Sequence, residues 1–336
     1  MRTRSYIVIV LLSVLQFATA QQGGLYSNFL QHQVVYNPAY AGVVPGKQFN
    51  LNYRNQWTGF EGAPKTFAVS GYGNMRKRPN IAIGGIVFSE KYGLIDYTSF
   101  YGMFAYKLKI NSFSFMNFGL SAGAAQYSVR TFNSRPYDKD DPMLASGVLN
   151  ALAFDANAGI YLQIKHFFLG FSNEHMSNAK IRWDNTLGKL TPHFYLYSGY
   201  DICFDKKKTW VLQPAAMMRF NTPVPYQVEG NLKLIFKEMI WLGLNYRDKA
   251  SAGASLGVTI DKHFSISYCF DYTTSKLSAY TGGTHEIFLA YQIPFVKKKS
   301  KSEQVQDEDQ EELNKIEEKN TTIKGKKTNT QQEEQK

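Results

Sequence analysis

Two cysteines, six histidines and 27 acidic side chains are the groups in this 336-residue chain that could do chemistry, and their spacing decides which kinds. No His-Glu-x-x-His, Gly-x-Ser-x-Gly, Cys-x-x-Cys, Walker or Gly-x-Gly-x-x-Gly motif opens onto the flanking structure such a motif needs. The histidines are scattered, and none pairs with another at metal-ligand spacing in the sequence. His193 and Asp201 fall on one face of a single alternating run, and Asp155 lies on another run. A hydrolase could spread its nucleophile, base and carboxylate over such strands. A polar interior is nevertheless the default for the fold argued below, so no catalytic residue, cofactor or metal is assigned. Asp138, Asp140 and Asp141 could ligate calcium, but no glycine follows at calcium-loop spacing, and a solvated acidic loop is the simpler reading. Cys203 and Cys269 lie far apart inside alternating runs, which predicts two unpaired thiols. Glu229, Lys233, Arg219, Arg247, Asp271 and Glu286 share the polar faces of their runs, as a wet or salt-bridged interior requires.

The elements that carry these groups are strands. Residues 226–237 put Val228, Gly230, Leu232, Leu234 and Phe236 on one face and Gln227, Glu229, Asn231 and Lys233 on the other. Residues 151–164, 251–260 and 263–272 split in the same way, with a period of two. Many runs extend over roughly 9–12 residues, the length a tilted strand needs to cross a hydrocarbon layer, whereas soluble strands average about 5–6. The apolar faces begin or end in aromatics such as Phe194, Phe204, Trp210, Phe220, Tyr246, Tyr272, Tyr291 and Phe295, in the manner of membrane-interface girdles. Composition agrees: charged residues are only 19% of the chain, and 24 Phe, 22 Tyr and 26 Gly fill the deficit. A disordered chain, a coiled coil and a helical membrane protein are excluded. The fold predicted is all-β, a transmembrane outer-membrane β-barrel of about fourteen antiparallel strands between residues 47 and 296. Short connections should lie on one side and long ones, including 128–150, 174–189 and 274–284, on the other.

The ends differ in character. Arg2 and Arg4, an apolar core from Tyr6 to Phe17 and Ala18-Thr19-Ala20 predict a signal peptide over residues 1–20 and a mature start at Gln21. Residues 21–46 do not alternate. Leu25, Phe29, Leu30, Val34 and Val35 are spaced like one short amphipathic helix, read as a plug in the lumen. Residues 297–336 hold ten Lys, ten acidic residues and no aromatic, and are expected to be a disordered periplasmic tail. Both mature termini are expected in the periplasm. The net charge of +11 falls to +9 without the signal peptide, and it belongs entirely to residues 21–296. No nucleic-acid-binding pattern accompanies it, so anionic lipid headgroups are the expected use of that charge.

Three segments are more specific. NPAYAG (37–42) supplies Asn37, Pro38, Ala39 and Gly42, and RNQWTGFEGAPKTFAVSGYG (54–73) supplies Arg54, Trp57, Gly59, Gly62, Ala63 and Pro64. SYCFDYTTSKLSAYTGGTHEIFLAYQIPF (267–295) supplies Asp271, Tyr272, Ser275, Leu277, Gly282, Gly283, His285 and Glu286. This ordered set resembles the PorP/SprF family of outer-membrane proteins associated with type IX secretion and gliding motility in Bacteroidetes-type bacteria. The resemblance implies a non-enzymatic role. The partners it implies are secreted adhesins or other cargo with a type B C-terminal sorting domain, together with periplasmic or lipoprotein components of the apparatus. The chain departs from the family in one respect, because 41 residues follow Phe295 where the closing strand usually ends the chain. The competing function is a passive solute channel, which a plug at residues 21–46 would oppose.

Overall fold

The computed structural model describes residues 26–130, 148–183, 186–221 and 224–295. The signal peptide, Leu25, the three aspartates of the 138–141 cluster and the tail 297–336 lie outside them.

The first seven strands are β1 (Lys47–Asn55), β2 (Lys65–Asn74), β3 (Ile81–Tyr92), β4 (Ile95–Lys109), β5 (Ser114–Arg130), β6 (Val148–Ile164) and β7 (Phe167–Glu174). A separate hairpin, β8 (Lys180–Trp183) with β9 (Thr186–Lys189), follows. The wall then resumes with β10 (His193–Tyr200) and β11 (Ile202–Cys203), which share β12 (Trp210–Asn221) as partner and count as one stave interrupted at Asp201. The remaining strands are β13 (Val224–Phe236), β14 (Ile240–Arg247), β15 (Ser251–Ile260), β16 (Phe264–Thr273) and β17 (Thr284–Ile293). Neighbours in the wall pair antiparallel, and β1 pairs with β17 from Lys47↔Ile293 to Asn55↔His285. The sheet thereby closes as a fourteen-stave barrel without an open edge, which is how a β-structure satisfies its backbone in lipid.

Alternation fixes which way each side chain points. On β14 the outward Leu242 and Leu244 are 58% and 60% exposed, while Trp241 before them and Arg247 beyond them are buried. Phe100, Leu120, Leu152 and Phe154 are likewise exposed. So continuous an apolar exterior is stable only against hydrocarbon. Tyr246, Tyr272, Tyr291, Trp210 and Phe204 stand exposed near strand ends, and Phe171, Phe194 and Phe220 stack in a ladder across three strands at 6.3 and 5.2 Å. The inner face is polar, with Asn52, Arg54, Asp155, Arg219, Glu229, Arg247, Asp271 and Glu286 all buried. Cys203 and Cys269 are free.

Three features differ from the sequence reading. The stretch read as one amphipathic helix is not one over its described residues 26–35: among these the helical turn begins only at Gln33 (Gln33–Tyr36), followed by a 3-10 turn at Pro38–Gly42. This segment is enclosed by the barrel wall, so no solvent-facing polar side is needed. Secondly, the connection 174–189 contains β8 and β9, whose four-residue strands carry too little alternation to be recognised. Thirdly, the connections do not alternate strictly in length. Residues 56–64 and 274–283 are long, but Gly93–Leu94 and 248–250 at the same end of the barrel are tight.

An outward charge should cost according to its depth. Leu244→Arg, in the middle of β14, should lower folding stability in lipid vesicles by about 2–4 kcal/mol, against about 0–1 kcal/mol for Tyr246→Arg near its end. Equal costs in denaturant titrations read by gel migration of unheated samples would contradict the placement of the apolar band.

Candidate functional site

Residues 26–43 lie inside the barrel and touch its wall on nearly every side. Asn37 caps the 3-10 turn, its Oδ1 accepting from the Ala39 N–H at 2.9 Å, and Pro38 occupies the first position, where no N–H is needed. The Asn37 amide donates to the Ile160 carbonyl at 3.0 Å; Asn117 donates to the Ala39 carbonyl at 3.2 Å, and Ser172 to that of Tyr36 at 2.7 Å. The fit is close: a Cβ at Gly119 would fall on the backbone of Ala39. Tyr36 packs on Tyr195 at 5.1 Å and Phe29 on Tyr197 at 5.9 Å. His32 sits between Tyr26 and Phe288 with its Nε2 3.0 Å from Ser70 Oγ, and burial pushes its pKa down to about 3. The motif Asn37, Pro38, Ala39 and Gly42 thus fastens an inner segment to β4, β5 and β6.

The start of that segment is held by charge. Arg54 Nη1 on β1 donates to Ser27 Oγ at 2.5 Å and lies 3.0 Å from Glu286 Oε2 on β17 and 3.5 Å from Asp271 Oδ2 on β16. Glu286 also accepts from the Ser27 N–H at 2.6 Å and from Asn52 at 2.8 Å. Beside them Arg247 pairs with Glu229 at 2.8 Å and donates to the Tyr26 carbonyl at 2.5 Å. Asn245 donates to Asp271 Oδ1 at 2.9 Å. Two guanidinium groups and three carboxylates, all buried, form one cluster, and within it Arg54 and Glu286 bridge the seam where β17 meets β1. The inner segment runs from this cluster, at the Asn55 end of β1, to Gly46 at the other end.

Above the cluster the two long motif connections are joined. Thr58 N–H donates to the Gly283 carbonyl and Gly282 N–H to that of Thr58, both at 2.7 Å, and Trp57 N–H reaches Thr284 Oγ1 at 3.2 Å. Gly283 has φ +97°, and a Cβ there would collide with the Phe270 ring and the Asp271 carbonyl. A cavity of about 640 Å³ opens between these loops, lined by Trp57, Pro64, Ser275 and Leu277, with Arg54 and Asp271 also facing it. Gly62 and Ala63 line its rim, and Gly59 (φ +90°) supplies a turn. Tyr272 and His285 are not part of this site. Tyr272 is exposed on the outer face, and His285 bonds Tyr268 Oη at 2.6 Å.

Residues outside the motifs complete the arrangement. Ser27, Asn52, Glu229 and Arg247 belong to the charge cluster; the sequence placed only Glu229 and Arg247 of these on an inward face. Asp201 accepts from Gln213 at 2.6 Å and is separate from His193 and Asp155. Lys233 lies over the Trp241 ring at 4.3 Å. A second cavity of about 320 Å³ lies between the inner segment and the wall, bordered by Tyr36, Tyr97, Tyr127, Glu174, His175 and Leu190.

A closed barrel with an apolar exterior, a polar interior and aromatic strand ends defines an integral membrane protein of the outer-membrane type. Residues 18–291 match the family described as type IX secretion system membrane protein PorP/SprF, and the chain belongs to that family. No curated protein matches it. Among solved structures, the Pseudomonas putida toluene transporter TodX is similar at 9% identity and TM-score 0.47, over 77% of this chain and 93% of that one. A Pseudomonas aeruginosa FadL homologue is similar at 10% identity and TM-score 0.47, over 76% and 92%.

Removing one guanidinium should unsettle the cluster. Arg54→Met leaves Glu286 and Asp271 buried without their partner, and should cost about 3–5 kcal/mol in denaturant titration of the folded barrel. A cost under 1 kcal/mol would show that Arg54 does not hold the closure. Protonation offers a second probe. A released His32 regains a pKa near 6.5, whereas the inserted ring resists protonation until about 3. The released state therefore binds more protons between these values, and insertion weakens as pH falls below 6.5. Protease cleavage of the inner segment should rise between pH 6.5 and 4 in the parent more than in His32→Gln.

Proposed function

We propose that this barrel receives secreted surface proteins, adhesins with a type B C-terminal sorting domain, and anchors them at the outer membrane, supporting secretion and gliding motility. The observation that carries this reading is the convergence of the second and third motifs at one end: Trp57, Pro64, Ser275 and Leu277 form a mouth, and the inner segment that carries the first motif occupies the lumen beneath it. A mouth of aromatic, aliphatic and hydroxyl groups suits an exported chain, because loops on a rigid scaffold are where recognition resides. The long connections share this end, which supports its assignment to the cell exterior; Lys47 and Ile293 share the other, periplasmic end, where components of the secretion apparatus would meet the protein. Burial of Tyr26, Phe29, His32 and Asn37, each at most 1% exposed, opposes a freely diffusing solute path.

Deletion of the protein should leave one or a few large surface proteins unanchored while other type IX cargo is exported normally. Trp57→Ala combined with Leu277→Asp should retain a heat-modifiable barrel yet reduce cargo display several-fold in surface proteomics. An unchanged surface proteome with reduced solute uptake would instead establish the channel.

A further inference from the structure

The far side of the lumen holds a cluster that the anchoring function does not use. Glu174 ends β7, His175 follows it, and His193 begins β10, so the β7–β10 connection leaves and returns at this point. One ligand atom from each of the three residues lies within 4.8 Å of the others. The two rings meet edge to face at 5.7 Å.

The remaining hydrogen bonds sort the ring nitrogens. His175 Nδ1 is 2.5 Å from Asp155 Oδ2, and Asp155 is fixed in turn by Tyr101 at 2.9 Å and Ser177 at 2.7 Å. This leaves His175 Nε2 for another partner. His193 Nε2 is 2.7 Å from the Asn221 amide nitrogen, while its Nδ1 is buried with no hydrogen bond of good geometry among the described residues. A fully buried ring nitrogen without one calls for a cause. Glu174 Oε2 accepts a hydrogen bond from Tyr195 Oη at 2.8 Å. Arg219, over the Tyr195 ring at 6.0 Å, adds one positive charge, against the two carboxylates of Asp155 and Glu174.

We propose that Glu174, His175 and His193 form a binding site for a divalent transition-metal ion of the zinc class, with the fourth position open to the adjoining cavity of about 320 Å³. Two imidazoles and a carboxylate are a donor set that zinc takes with an exchangeable fourth ligand. The carboxylate behind His175 is the outer partner that orients a metal-bound imidazole, and Asn221 serves His193 in the same way once its amide turns its oxygen, in place of its nitrogen, toward Nε2. Ligands around zinc at about 2.0–2.1 Å stand about 3.3–3.5 Å apart, so the three atoms, now within 4.8 Å of one another, close by at most about 1.5 Å on binding. The ion would tie the end of β7 to the start of β10 and pin the base of the β8–β9 hairpin.

The test uses the full chain, purified in detergent without a histidine tag and stripped with a chelator. Zinc is titrated against a chromogenic competitor, and cobalt is added separately to read visible absorption. One zinc per chain and a tetrahedral cobalt spectrum are expected. His193→Ala and Glu174→Gln should each weaken binding at least tenfold, and Asp155→Asn by about 10–100-fold. His263→Ala, elsewhere in the barrel, should change nothing. Gel migration before heating verifies that each variant is folded. Absence of stoichiometric zinc in the parent, or undiminished uptake by a folded His175→Ala/His193→Ala variant, would overturn the proposal.

Discussion

The buried contact between Arg54, Glu286 and Asp271 is the constraint on which the rest of the structure depends. It joins the first strand to the last two and so sits on the seam that closes the barrel. It also holds Ser27 by both its hydroxyl and its N–H, fixing the inner segment at one end. Such a cluster is a poor source of net stability, since desolvating five charges offsets most of their attraction. Its value is specificity. A register slip of one residue would turn Arg54 and Glu286 to the lipid face, where each would cost several kcal/mol. Only one closure satisfies all five groups.

The inner segment and the wall are complementary in a way that neither achieves alone. A fourteen-stave barrel is too wide for its own side chains to fill. Tyr26, Phe29 and Tyr36 occupy that space, and Tyr161, Tyr195 and Tyr197 meet them from the wall. Aromatic pairs of this kind add about 0.5–1.5 kcal/mol each beyond the area they bury. The absence of a side chain matters equally at Gly119, where the Ala39 backbone lies directly against β5.

Much of this was legible in the chain. A period of two that continues for ten or more residues leaves few alternatives, and Glu229, Arg247 and Asp271 could be placed inward from phase alone. What phase cannot give is which inward groups meet. Arg54 and Glu286 are separated by almost the whole barrel in sequence and become neighbours only when the sheet closes. His175 and His193 likewise meet because the connection between β7 and β10 returns to its origin, so histidines scattered in the sequence become neighbours only in the fold. The inner segment was misread for a different reason. Apolar residues at helical spacing suggest a helix with one polar face, but a segment enclosed on all sides has no such face. His285 shows the opposite limit: it adjoins Glu286 in a motif, yet a strand sends neighbours to opposite faces.

The mouth and the charge cluster are one continuous surface, because Arg54, Arg247 and Asp271 face the cavity while also holding Tyr26 and Ser27. This limits what can enter. An anionic group approaching Arg54 must displace Glu286 or Asp271, leaving a buried carboxylate unpaired. An aromatic or aliphatic group can settle on Trp57 and Leu277 without separating any charge. The balance of desolvation therefore leaves the ion pairs intact, with neutral contacts on Trp57 and Leu277 and, for an anionic group, the exposed Lys249 at the rim. A partner that binds this way reads the shape set by the joined loops, while the cluster below keeps those loops in register.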